Sequence, residues 1–143
     1  MAVAVVDSNI LIDYKDTSQA THHERAEEIV YGIDSGALPT ARVTNYVLLE
    51  SLNWIHERQR HDIAVDLRNR LADSAGFELV QCAQKDFHRA GELFESHERL
   101  SFGDATIAAY MERTGIEYLY SFDDDFDGIE GISRLETAEN PFD

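Results

Sequence analysis

The segment that most restricts the fold is AVAVV, Ala2–Val6, with Asp7 directly behind it. A strand with one face in water alternates apolar and polar residues. A run that is apolar at every position is buried on both faces. Such strands belong to parallel sheets layered between helices, because parallel neighbours need long crossovers. The rest of the chain supplies those crossovers. Helical spacing covers Ala20–Ile33 and ends at Gly36. Thr44 can cap a helix reaching about Arg58, and His61–Ala75 is helical up to Gly76. Gln84–Glu98 and Ser101–Thr114 follow, the latter closed by Gly115. Between the helices lie short strand candidates: Pro39–Val43, Phe77–Cys82, Glu117–Phe122 and Gly131–Leu135. This alternation predicts a three-layer α/β/α fold around a parallel sheet of four to five strands, with right-handed crossovers. No linker, repeat or low-complexity tract interrupts it, so residues 1–143 read as one domain.

Composition narrows the setting. No apolar run reaches the ~18 residues of a membrane span, and no basic segment precedes the first apolar run, so the chain is expected in the cytoplasm. One cysteine, Cys82, allows no internal disulfide and is expected to be inert packing. Twelve basic residues against twenty-eight acidic ones give a net charge of −16. Only Lys15 and Lys85 are lysines; the other basic residues are arginines. Acid excess with so little lysine fits a halophilic protein, whose self-repulsion molar salt screens over ~3 Å. The alternative is a protein that avoids nucleic acid or meets a basic partner.

The acids themselves are patterned. In an open α/β sheet, ligands collect at the carboxyl ends of the strands. Asp7 follows the first strand and Asp123 follows EYLYSF, so both are expected at one edge. Glu50 shares its helix face with Tyr46, Val47, Asn53 and Trp54, where a carboxylate needs a partner or must reach solvent. Asp104 shares a face with Ile107, Ala108 and Met111, and its spacing from Ser101 also suits a cap. The stretch SFDDDFDGIE packs Asp123, Asp124, Asp125 and Asp127 into five positions. Solvent and salt, a calcium loop, or a catalytic metal shared with distant acids would each offset their repulsion. The calcium loop fails: Asp123, Asp125, Asp127 and Gly128 match its start, but Arg134 stands where the closing glutamate belongs, and a strand precedes it. Four carboxylates from four segments suit Mg2+ or Mn2+, hard cations that take oxygen ligands and activate water against a phosphodiester.

The pieces VVDSNILID, VTNYVLLE, LSFGDATIAAYMERTG and YLYSFDDDF, in this order, resemble the PIN domain nucleases, especially the VapC toxins of toxin–antitoxin pairs. The resemblance implies an acidic quartet of Asp7, Glu50, Asp104 and Asp123; we expect Asp7 and Asp123 as main metal ligands and Glu50 or Asp104 orienting the water. It implies supporting roles for Ser8, Asn9 and Ser121, the last standing where the family has threonine. Asp125 becomes an accessory acid, and Asp124 and Asp127 are left to solvent. It further implies a central first strand, metal-dependent RNA cleavage leaving 5′-phosphate and 3′-hydroxyl ends, a homodimer and an antitoxin partner.

Other readings remain beside it. A stand-alone PIN ribonuclease of RNA maturation or decay shares the fold. A receiver-like phosphoacceptor also gathers strand-end acids, but needs a lysine at a late strand end, where this chain has Ser121-Phe122-Asp123. A PIN fold used only for binding is the third. The histidines form no H-E-x-x-H pair, and neither a phosphate loop of Walker type nor G-x-S-x-G occurs. Arg58, Arg60, Arg68 and Arg70 form the one local basic cluster. They either pair with Glu57, Asp62 and Asp66 or meet RNA phosphates, and Arg42 is a further candidate for the substrate. The helix from Thr44 is apolar almost all round, through Tyr46, Val47, Leu48, Leu49, Leu52, Trp54 and Ile55, and needs cover from the next helix or from a partner.

Overall fold

The computed structural model describes residues 2–18 and 20–143. Strand β1 (Val3–Val6) is buried at every position, as its composition requires. It lies at the centre of a five-stranded sheet with β2 (Thr40–Thr44), β3 (Phe77–Val80), β4 (Tyr118–Tyr120) and β5 (Ser133–Leu135), in the order β3-β2-β1-β4-β5. All four pairings are parallel. This order is not the 2-1-3-4-5 of receiver-like folds, which removes the phosphoacceptor reading.

Six helices complete the layers: α1 (Ser8–Lys15), α2 (Ala20–Ser35), α3 (Asn45–Arg58), α4 (His61–Asp73), α5 (Gln84–Ser96) and α6 (Phe102–Thr114). The chain steps from β1 outward to β3, then returns to the other side of β1. With right-handed crossovers, α1 to α4 cover one face and α5 and α6 the other. The contacts agree: α1 packs on α2 and α3, α3 on α4, and α5 on α6. The reversal opens a crevice between the carboxyl ends of β1 and β4, the switch point where open sheets bind ligands.

Helix ends follow the expected caps. The Thr44 hydroxyl accepts the Val47 N–H at 3.2 Å, and the Ser101 hydroxyl accepts that of Asp104 at 3.1 Å. Gly115 closes α6 in the left-handed region, φ 71°. Gly76 is needed for a different reason, since a Cβ there would collide with the Ile33 carbonyl. Helix α1 went unassigned in the sequence because eight residues show little of a 3.6-residue period. It forms because Asp7 caps it. β3 stops at Val80 rather than Cys82, whose N–H donates to the Asn45 side chain at 2.8 Å instead of to a ladder. Cys82 is half-buried, and burial pushes its thiol up to about 11, away from reactivity.

Val47 and Ile55 of α3 are buried, and Leu48, Leu52 and Trp54 pack against the core. Leu49, 58% exposed, is not covered by the described residues. No described helix is long and apolar enough to cross a membrane.

Candidate active site

Asp7 leaves β1 at the crevice and is 3% exposed. Its N–H donates to the Tyr120 carbonyl at 3.0 Å, which ties the ends of β1 and β4 together. Its Oδ1 accepts the Ser8 N–H at 2.7 Å. Its Oδ2 accepts the Ser121 hydroxyl at 2.7 Å and the Asn9 amide at 3.1 Å. The Ser121 hydroxyl in turn accepts the Asp123 N–H at 3.0 Å, so one hydroxyl bridges the two strand-end acids. The Asn9 side chain also accepts the Phe122 N–H at 3.2 Å, fixing the turn after β4.

Glu50 reaches the same place from α3. Its carboxylate accepts the Ser8 hydroxyl. A Cβ on Gly103 would stand 3.8 Å from Glu50 Oε2, which sets the first turn of α6 beside that carboxylate. Glu50 is exposed, unlike the buried face its apolar neighbours predict, because α3 leaves Leu49 and Glu50 uncovered at the mouth. Asp104, in that first turn of α6, is half-buried and plays both expected parts: its backbone N–H makes the cap and its carboxyl faces the other acids.

The acids act on one another electrostatically. Burial pushes Asp7 up to about 6 despite its three hydrogen bonds, and the charges of Glu50 and Asp123 add to the rise. Asp104 is pushed up to about 7, first by burial, then by the charges of Asp7 and Asp123. No cation is among the main causes of either shift, and among the described residues no ion pair reaches Asp7, Glu50, Asp104 or Asp123.

The other aspartates of SFDDDFDGIE are neutralised by protein. They lie on a 3-10 turn, Asp124–Gly128, capped by Asp123, whose Oδ1 accepts the Asp125 N–H at 2.9 Å. Arg99 pairs with Asp124 at 3.2 Å and Asp125 at 2.6 Å. Arg134 forks onto Asp127 at 2.8 and 3.1 Å. Asp124 and Asp127 are therefore ion-paired rather than merely solvated. Asp123, Asp124 and Asp125 offer carboxylate oxygens within 4.8 Å of one another. Arg99 already supplies a counter-charge to two of that trio, so the set lacking one is Asp7, Glu50, Asp104 and Asp123. Its donors are all hard oxygens, which fits a divalent magnesium or manganese ion.

The predicted basic residues do not join this set. Arg42 lies mid-strand, paired to β1 at Val5, and its guanidinium is held by Tyr110 at 3.1 Å and Glu78 at 3.4 Å. Tyr110 is six residues beyond Asp104 on α6, about 9 Å along the axis, so Arg42 points away from the carboxyl edge. Arg60 pairs with Asp62, Arg58 lies over Trp54 at 5.2 Å, and Arg70 lies over Tyr14 at 5.7 Å. Among the described residues Arg68 bonds only its neighbour Asn69, at 3.4 Å. Sequence reasoning passed over Arg99, and used Arg134 only to reject a calcium loop. The one available signal was their position flanking an acid run that needed counter-charge.

The PIN domain family matches residues 4–132. Among solved structures, VapC20 of Mycobacterium tuberculosis, described as a sarcin–ricin loop cleaving toxin, superposes with a TM-score of 0.74 at 24% identity, covering 89% of this chain and 95% of that one. A toxin–antitoxin complex from Klebsiella pneumoniae gives 0.64 at 22% identity over 96% and 98%. VapBC2 of Rickettsia felis, bound to a DNA fragment of its promoter, gives 0.66 at 14% over 93% and 97%. A search of curated proteins finds no match. The family match spans nearly the whole chain and agrees with the sheet order and the crevice at β1 and β4: this protein belongs to the PIN domain family.

Proposed function

We propose that this single-domain protein is a metal-dependent endoribonuclease and the toxin of a VapBC-type pair. The observation that carries the reading is that buried Asp7 and half-buried Asp104 at the switch point are both pushed up by burial and by neighbouring acids, with no ion pair to either among the described residues. Asp7 and Asp123 would hold Mg2+ or Mn2+, Glu50 and Asp104 would complete the oxygen donors, and Asp125 would be an accessory acid. When bound, the ion offsets charge on the phosphate oxygens and makes water a stronger nucleophile. The chain's residues supply the order. Ser8, Asn9 and Ser121 fix Asp7, and Ser121 also fixes the Asp123 backbone. Asp104 or Glu50 accepts the proton of the attacking water. The water oxygen bonds to phosphorus as the P–O3′ bond breaks, and O3′ takes a proton from solvent, leaving 5′-phosphate and 3′-hydroxyl ends.

The structural relatives with antitoxins support a small protein partner for this chain, encoded beside it. Exposed Phe87, Phe94 and Phe102 form an edge-to-face ladder, with ring centroids at 5.5 and 5.6 Å, and support a homodimer. A stand-alone nuclease is distinguished by the absence of an adjacent antitoxin gene. The site is that of a cytoplasmic, halophilic enzyme acting on RNA in molar salt. The test is cleavage of a panel of structured RNAs, the sarcin–ricin loop among them, with Mg2+, with Mn2+ and with EDTA. Metal-dependent cuts are expected; inert, folded, metal-loaded protein would reject the nuclease.

A further inference from the structure

Two arginines serve the acid run, and they are built differently. Arg134 is 14% exposed and engages all three guanidinium nitrogens: Nε and Nη2 on Asp127, and Nη1 on the Ser121 carbonyl and Glu136. Arg99, in the loop between α5 and α6, is 69% exposed and engages only Nη2, on Asp124 and Asp125. Its Nε and Nη1 meet no acceptor among the described residues. A guanidinium offers five N–H donors in a planar fork that matches a phosphate. Among the described residues, no other arginine pairs with Asp124 or Asp125, the acids adjoining Asp123.

A cavity of about 190 Å³ opens beside this fork. Leu100 and Ile129 give it apolar surface, His97 and Gly128 line it, and Arg99 and Asp125 stand in its wall. It is smaller than the ~300 Å³ at which whole small-molecule sites begin, and of the scale of one planar heterocycle. A larger groove of about 580 Å³ shares His97 and Ile129 with it and runs on along α5 and α6. Neither is lined by any of the four carboxylates; the small cavity meets the acid run at Asp125, two residues from Asp123.

We propose that Arg99 and this cavity form a nucleotide subsite. The free edge of the guanidinium takes a backbone phosphate next to the one cleaved, and the cavity takes the adjoining base. This rests on the RNA-cleavage reading. A protein of charge −16 has no long-range attraction for RNA, so its grip must come from short contacts. A preplaced fork gives one, and apolar contact with a base face is indifferent to salt. Asp124 and Asp125 hold the fork at the mouth without occupying its outer edge.

The test uses metal-loaded protein and a cleavable single-stranded oligoribonucleotide. Arg99→Ala should bind about tenfold more weakly, raise KM more than it lowers kcat, and change the slope of log affinity against log salt by about one. Arg99→Lys should restore the slope but not the affinity, since it keeps charge and loses the fork. Gly128→Leu enters the cavity at a position where a Cβ meets nothing within 4 Å, and should alter base preference beside the cut while leaving the slope alone. Unchanged KM and slope in folded Arg99→Ala would overturn the subsite. So would a fall confined to kcat. Wild-type protein that neither binds nor cuts RNA overturns the subsite together with the nuclease reading, whereas a cutting wild type with indifferent Arg99 variants overturns the subsite alone.

Discussion

Replacing Asp104 by asparagine should stabilise the metal-free protein, and the amount follows from the site. A carboxyl pushed from 3.8 to about 7 carries a penalty on its ionised form of about 4 kcal/mol above pH 7. Asp104 is half-buried, so solvent screening reduces this to about 2 kcal/mol. The sign is fixed by linkage. The folded state holds the proton more tightly than the unfolded one, so stability is full below about pH 4 and is lost as pH rises toward 7. Asparagine removes the ionisation but keeps the shape, and the cap survives because the donor is the Asp104 backbone N–H. Melts in EDTA should show the variant about 6 °C above wild type at pH 8, with the gap closing by pH 4. Mn2+ should raise wild type more than the variant, which should not cleave RNA. An equal gap at both pH values, or none at pH 8, would refute the idea that Asp104 faces uncompensated charge.

Asp7→Asn should also abolish cleavage but gain less stability, because Asp7 accepts three hydrogen bonds that one amide oxygen cannot all retain; paired melts of the two variants in EDTA check the order. Ser121→Ala removes a hydrogen bond that holds Asp7 down, so the acid limb of the cleavage pH profile should move upward, as a pH–rate series will show. Cleavage should persist or rise as KCl goes from ~0.1 M toward ~1 M, where screening reaches ~3 Å. A steep fall with the protein still folded would mean that a strong basic surface exists. Phe94→Ser should convert a dimer to monomer in light scattering at high salt, and a wild type that is monomeric at every concentration would remove the dimer.

Placement by strand ends was legible in the sequence. AVAVV read as a strand buried on both faces, its central place came from the family resemblance, and the positions of Asp7 and Asp123 follow from it and from EYLYSF. Caps at Thr44, Ser101 and Gly115 were legible because each acts on its own helix. What failed depended on long-range geometry. Glu50 looked inward by spacing, but spacing gives a face and not what covers it. Arg42 sat near a strand end in the sequence, yet Tyr110 and Glu78 hold its guanidinium away from the acids. Arg99 is 24 residues before Asp123, and nothing local tells which acid it meets. Helix α1 depends on the residue that also anchors the site, so its cap was read as a ligand only.

The most direct test of the central claim is a calorimetric Mn2+ titration in buffers of different ionisation enthalpy, which counts the protons expelled as the ion binds. Asp7 and Asp104, pushed up to about 6 and about 7, together hold about one proton near pH 6.5 and almost none at pH 8.5. We expect about one proton released per bound ion at pH 6.5, almost none at pH 8.5, and binding lost in Asp7→Asn. Binding without proton release at pH 6.5, or binding unchanged in Asp7→Asn, would contradict a metal site built on these carboxylates.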